Sequence, residues 1–259
     1  MTTTVGSEKE NIFARLRRNV CAAIQIVLLG VGAAVTYGVL QDQVTAHVCV
    51  EYFTIGHTDF FNLGDPTLIA FEWGLIATWW AGLLLGALVA CIARVGTRRP
   101  RLSARDLLRP TLVVQGCVGL VALVAGVTGY IVAKAGGVSL TEPLASAVPQ
   151  ARQVAFLADL WAHDAAYAAG ALGGVALGLW TWRQRGALQR AQRDRKQQED
   201  ALVLISPTGH ISGHGHRAEP VHVGRRWETI AFRVLLIVGS FSLVLGVLFI
   251  LAISALSGL

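Results

Sequence analysis

The sequence predicts an all-α integral membrane protein, a bundle of five transmembrane helices with a short extended segment in one outer loop. Apolar stretches at 20–40, 67–93, 111–133, 154–182 and 230–254 each reach the roughly 20 residues needed to cross about 30 Å of hydrocarbon. Twenty of the 22 lysines and arginines fall in the segments 9–18, 94–109 and 183–233. A hydrophobic content of 54% and a mean hydropathy of +0.55 exceed what a soluble domain carries. Because basic residues are retained on the cytoplasmic side, the N-terminus and the second-to-third and fourth-to-fifth connections are expected inside, and the C-terminus outside.

In chain order, residues 1–19 form a cytoplasmic, amphipathic N-terminus. Ile12, Phe13 and Leu16 lie on one side with Arg15, Arg17 and Arg18 around the rest, the pattern of a short interfacial helix. The apolar run after Arg18 is too long for a signal-peptide core of about 7–15 residues, so it is expected to stay as the first span. Residues 20–182 then form a membrane core of four helices.

The outer loop, 41–66, interrupts that core. Val44, Ala46, Val48, Val50 and Tyr52 alternate with Thr45, His47, Cys49, Glu51 and Phe53, a period-two pattern that predicts an extended strand with His47, Cys49 and Glu51 on one face. Phe60 and Phe61 are expected to anchor the remainder at headgroup level. Between the second and third spans, Ser103 with Asp106 predicts a capping box opening a short helix that Pro110 interrupts.

Residues 183–229 form a basic cytoplasmic region. A charged helix continues the fourth span, and a turn-rich loop follows with His210, His214, His216 and His222. Those histidines are read as a secondary cluster able to bind a metal, or as a solvated linker. Residues 230–259 carry the fifth span.

Ionisable residues inside spans cost roughly 2.5–3.5 kcal/mol at mid-helix and tend to serve a purpose. Glu72 in the second span, with Asp159 and His163 in the fourth, stand out. Asp159 and His163, four residues apart, share a helix face. That face continues through Gly170, Gly174 and Gly178, a small-residue stripe for close helix approach, and Gly82 and Gly86 make a comparable stripe in the second span. Direct pairing of these two spans would bring Glu72 near Asp159 and His163.

The outer loop adds His47, Glu51, His57 and Asp59 on the same side. Carboxylates with imidazoles are the usual ligands of zinc, iron, manganese or copper. Three readings stay open: a transition-metal site, a buried hydrogen-bonded pair that stabilises packing, and proton or ion handling.

Several classes are excluded by what is missing. There is no Walker A sequence, GxSxG elbow, GxGxxG or CxxCH haem site. The net charge of +6 is an orientation signal and an attraction to anionic headgroups, so no nucleic acid is expected. The four cysteines are separated by topology and contain no CxxC pair, so no internal disulfide is expected. The expected partners are the lipid bilayer and either further copies of the chain or other membrane subunits.

Tyr37-Gly38 leading to Asp42-Gln43-Val44-Thr45, then Glu51-Tyr52-Phe53-Thr54-Ile55-Gly56-His57, resembles a group of uncharacterised bacterial polytopic membrane proteins. The likeness extends through Trp79-Trp80, the arginine-rich inner loop and the Asp159–His163 region. It implies a bacterial inner-membrane location and brings no activity with it. The function read from the residues is a non-enzymatic membrane component with an acidic and histidine-containing outer site. The alternatives are a metal-binding carrier, sensor or hydrolase, and an ion or proton transporter.

Overall fold

The computed structural model describes residues 3–58, 60–96 and 99–205. The fifth span, the cluster of His210, His214, His216 and His222, and Asp59 lie outside the described residues. The described chain is helical: α1 (Thr3–Val48), α2 (Glu51–Thr54), α3 (Pro66–Ile76), α4 (Trp79–Arg94), α5 (Ala104–Lys134), α6 (Leu144–Ala147), a 3-10 turn (Gln150–Arg152) and α7 (Gln153–Ile205). Three helical segments, Phe13–Val48, Pro66–Arg94 and Ala104–Lys134, are long and apolar enough to cross a membrane. The fourth expected span lies in α7, which runs on past Trp182 as the charged helix the composition predicts.

The strand expected in the outer loop is not formed, and no strand occurs among the described residues. α1 continues through Val48 instead. The reason lies in what is buried: Asp42, Thr45, Ala46 and Cys49 all face the interior, at spacings of three, one and three residues, which is one face of a helix. Alternation of β-branched residues was the weaker signal, because packing overrides strand propensity. The expected separate N-terminal helix is likewise absorbed into α1.

Two further boundaries differ from expectation. Pro110 sits inside an unbroken α5. Its missing N–H removes one hydrogen bond close to the helix start, and the remaining turns carry on. The start itself is as predicted, with the Asp106 carboxylate accepting from the Ser103 backbone N–H at 2.8 Å and its hydroxyl at 2.7 Å. The second span is divided at Ala77–Thr78 into α3 and α4, where the Thr78 hydroxyl donates back to the Gly74 carbonyl, a bond that bends helices. α3 begins at Asp65, whose carboxylate caps the backbone N–H groups of Thr67 and Leu68 at 2.8 and 3.1 Å, ahead of Pro66 at the first helical position.

The long helices form a ring. α1 packs along α3 and α4, α4 touches α7, α7 packs along α5, and α5 returns to α1. Backbones meet where α1 crosses α4: a Cβ on Gly30 would lie 2.7 Å from the Gly82 carbonyl oxygen and 2.8 Å from Gly86 Cα. Gly74 of α3 is as tight against the Val39 backbone. Close approach of this kind is what glycine allows between apolar helices. Gln115 of α5 donates to the Ala33 carbonyl of α1, the cross-helix bond its position suggests, whereas Thr128 bonds within its own helix.

One end of the ring is capped by α2, α6 and the 3-10 turn over a core containing Cys49, Tyr52, Phe53, Ile69, Val148 and Phe156. The other end carries Asn19, Arg94, Arg101 and Arg185. The Asn19 side-chain oxygen accepts from Arg94 and from Arg101, each at 2.8 Å.

Candidate functional site

Buried polar residues of two long helices come together beneath the cap. α7 presents Asp159 and His163 inward, both buried, and α1 presents Asp42 and Thr45, also buried. His163 Nε2 lies 3.0 Å from the Thr45 hydroxyl and 3.6 Å from Asp42 Oδ1. Its ring stacks on Tyr52 of α2 at 4.6 Å between centroids, with planes inclined by 24°, and the edge of Phe53 closes a second side. Tyr52 also packs on Phe156 and His57. The imidazole is thus held by one hydroxyl, one carboxyl and an aromatic lid.

Thr45 lies within 3.3 Å of the Gln41 carbonyl, and its one hydroxyl hydrogen cannot serve both neighbours. A carbonyl only accepts, so assigning the hydrogen there makes His163 Nε2 the donor toward the Thr45 oxygen. A donor Nε2 also suits the Asp42 carboxyl. Asp159 lies one helical turn from His163, and its Oδ2 is buried with no hydrogen-bond partner among the described residues. A buried carboxyl oxygen is costly unless a proton or another polar group meets it.

An ion pair joins two parts of the cap, α2 and the 3-10 turn, and the same arginine ties them to α1. Arg152 Nε donates to both Glu51 oxygens at 3.0 Å, and its NH2 group donates to the Val48 carbonyl at 2.9 Å, closing the C-terminus of α1. The Cys49 thiol donates to Glu51 Oε2 at 3.3 Å. Burial would raise the Glu51 carboxyl, but hydrogen bonds from its own backbone N–H, from Arg152 and from Cys49 hold it below the usual range. Burial, joined by repulsion from Asp159 and Glu51, pushes the Cys49 thiol up to about 12, so the free thiol stays protonated at ordinary pH.

The residues predicted as one site therefore separate. Asp159 and His163 are both buried, as their shared face implies, and at this level His163 meets Thr45 and Asp42 of α1 and not Glu72. Glu72 is buried on α3 beside Phe53, Thr54, Ile69 and Trp73. Glu51 belongs to the Arg152 clamp. His57 is half-buried, packed on Trp73 at 4.7 Å, with Nδ1 2.9 Å from the Tyr52 carbonyl. His47 is exposed on α1, with Nδ1 2.7 Å from the Gln43 carbonyl. Among the described residues, no three His, Cys, Asp or Glu side chains are grouped to hold a metal ion.

The glycine stripes divide between two contacts, one expected and one not: Gly174 and Gly178 of α7 face the second segment, at α4, as direct pairing predicts. Gly82 and Gly86 take the α1 backbone. Gly174 and Gly178 meet the side chains of Leu85 and Ile92, and Gly170 has open space around it.

Sequence reasoning overlooked Asp42, Thr45, Tyr52 and Arg152 as members of the site. The spacing of Asp42 and Thr45 was the available signal, since three residues place both on one helix face once the loop is read as helix. No protein-family model, no curated protein and no solved structure matches the chain.

Proposed function

We propose that the chain is a non-enzymatic integral component of a bacterial inner membrane, with its N-terminus inside, that exchanges protons at the cluster of Asp42, Asp159 and His163. The bacterial assignment rests on the resemblance of residues 37–57, the orientation on the distribution of arginine, and membrane insertion on three long apolar helices. The observation that carries the proton reading is the 3.6 Å approach of His163 Nε2 to Asp42 in a buried setting, next to an Asp159 oxygen without a partner among the described residues.

Each proton gained or lost there changes the charge of a group that water does not reach, and an uncompensated charge in such surroundings costs several kcal/mol. Protonation is therefore tied to how α1 and α7 sit against each other, because Asp42 and Thr45 come from one and Asp159 and His163 from the other. Coupling of this kind is the common use of intramembrane carboxylates and imidazoles. A merely structural pair would hold one protonation state throughout.

The test is carboxyl-band infrared difference spectroscopy with histidine-labelled NMR, on protein in lipid bilayers across the pH range where it stays folded. A protonated-carboxyl band that Asp159→Asn or Asp42→Asn removes, together with a His163 titration that Asp42→Asn shifts, is the expected result. Bands and shifts that stay constant over the whole range would sink the reading.

A further inference from the structure

The arginine-bearing end of the bundle holds an open groove of about 540 Å³ between α4 and α7, walled by Ile92, Val95 and Trp182 and bordered by Arg99 and Arg185. The two arginines play different parts. Arg185 is buried and spends its guanidinium on the backbone: Nε donates to the Pro100 carbonyl at 2.8 Å, one terminal nitrogen to Ile92, and the other to Val95 at 2.8 Å and Arg99 at 3.4 Å. It thereby closes the C-terminal turn of α4 and shapes the loop that follows, fixing the groove floor.

Arg99 lies over the Trp182 ring at 4.8 Å, and among the described residues its N–H donors meet no acceptor. Arg94 gives its terminal nitrogens to Leu102 and Asn19, but its Nε is buried without a partner among the described residues. Burial first, and then repulsion from Arg99, Arg101 and Arg94, pulls Arg185 below the ordinary arginine value. Among the described residues none of these four arginines makes an ion pair. The bundle has gathered positive charge around a groove and left donors unused.

We infer that this groove binds the phosphate group of an anionic lipid headgroup, with Arg99 as the contacting donor. The planar guanidinium fork matches phosphate oxygens, and Trp182 beneath it restricts the side chain, so little rotamer freedom is lost on binding. Exposed Val95 and Trp182 offer an apolar surface to an acyl chain leaving the headgroup. A groove for a wholly soluble anion would have no use for that surface.

The test compares bound-lipid retention, by native mass spectrometry, for the full chain taken from phosphatidylcholine bilayers with and without phosphatidylglycerol. Preferential retention of phosphatidylglycerol is expected, and Arg99→Gln should weaken it about tenfold, the value of one charge-assisted contact. Cys91 is exposed at the groove mouth, so Cys91→Trp should displace the lipid with every arginine intact, and it decides the matter if Arg99→Gln fails to fold. A competition arm adds inorganic phosphate: phosphate that displaces the lipid and protects the protein alone would make soluble phosphate the ligand of the same site. Equal retention of both lipids, or retention unchanged in both variants, would overturn the proposal.

Discussion

The Thr45 hydroxyl and the His163 imidazole lie 3.0 Å apart and join helices whose contacting residues are 118 positions apart in the chain. That one bond places α1 next to α7 at the capped end and brings Asp42 within reach of the same nitrogen. Both side chains are buried, and each has one other polar neighbour, the Gln41 carbonyl for Thr45 and the Asp42 carboxyl for His163.

Thr45→Val keeps the shape of the side chain and removes the hydroxyl, leaving His163 Nε2 with Asp42 alone. The expected loss is about 1–3 kcal/mol of folding stability, the cost of stranding a buried polar group, measured by denaturant unfolding in mild detergent. Nitrogen-15 shifts of labelled histidine should report the Nε2–H tautomer in the wild type. A neutral ring protonated at Nδ1 would mean that Thr45 donates and His163 accepts.

The Glu51–Arg152 clamp makes the cap sensitive to acid. Because the folded-state Glu51 carboxyl is lowered, its stabilisation is fully present above the ordinary glutamate value of about 4.3 and is lost as pH falls through the lowered one. Arg152→Ala should cost about 1–2 kcal/mol near neutral pH. The gap between the wild-type and variant stability curves should narrow in acid, to the part contributed by the Arg152 bond to the Val48 carbonyl. Parallel curves down to the acid limit would show that the pair contributes nothing through charge.

The long apolar helices were legible because apolar length is a redundant signal spread over many residues. The stretches at 67–93 and 111–133 fall within α3–α4 and α5, and the continuous helix expected from 154 past Trp182 is α7. Boundaries decided by one contact were not legible. The Thr78-to-Gly74 bond that divides the second helical segment is local, but a threonine in an apolar run makes such a bond without always breaking the helix, and the burial of Asp42 and Thr45 that keeps α1 helical beyond residue 40 depends on His163, distant in sequence. For the site, helical spacing united Asp159 with His163. The partner helix could not be chosen from glycine stripes, because α1 carries its own Gly30 and Gly38 and took Gly82 and Gly86 for itself.

Cys49 is fully buried, whereas Cys21, Cys91 and Cys117 are exposed. Its thiol, pushed up to about 12, is both inaccessible and protonated. A membrane-impermeant maleimide should therefore leave Cys49 unmodified in the folded protein and label it after unfolding in detergent. Arg152→Ala, which frees Glu51 and the end of α1, should raise its labelling rate in the folded state. Rapid labelling of wild-type Cys49 would show that the cap opens readily.

Gly82 and Gly170 offer matched substitutions on different surfaces. A Cβ at Gly82 would meet the Gly30 carbonyl at 2.7 Å and Val31 Cα at 2.8 Å, backbone atoms that cannot move without shifting α1. A Cβ at Gly170 would meet no atom of another helix within 4 Å. Gly82→Ala should thus cost about 1–3 kcal/mol, as overpacking does, while Gly170→Ala should be neutral or slightly stabilising through helix propensity. Gly174→Ala should fall between them, because the Leu85 side chain it meets at 2.6 Å is free to turn to another rotamer. Unfolding midpoints of the three variants in the same detergent supply the order. A Gly82→Ala protein as stable as Gly170→Ala would mean that α1 and α4 do not touch through their backbones, and that the ring of helices closes by another contact.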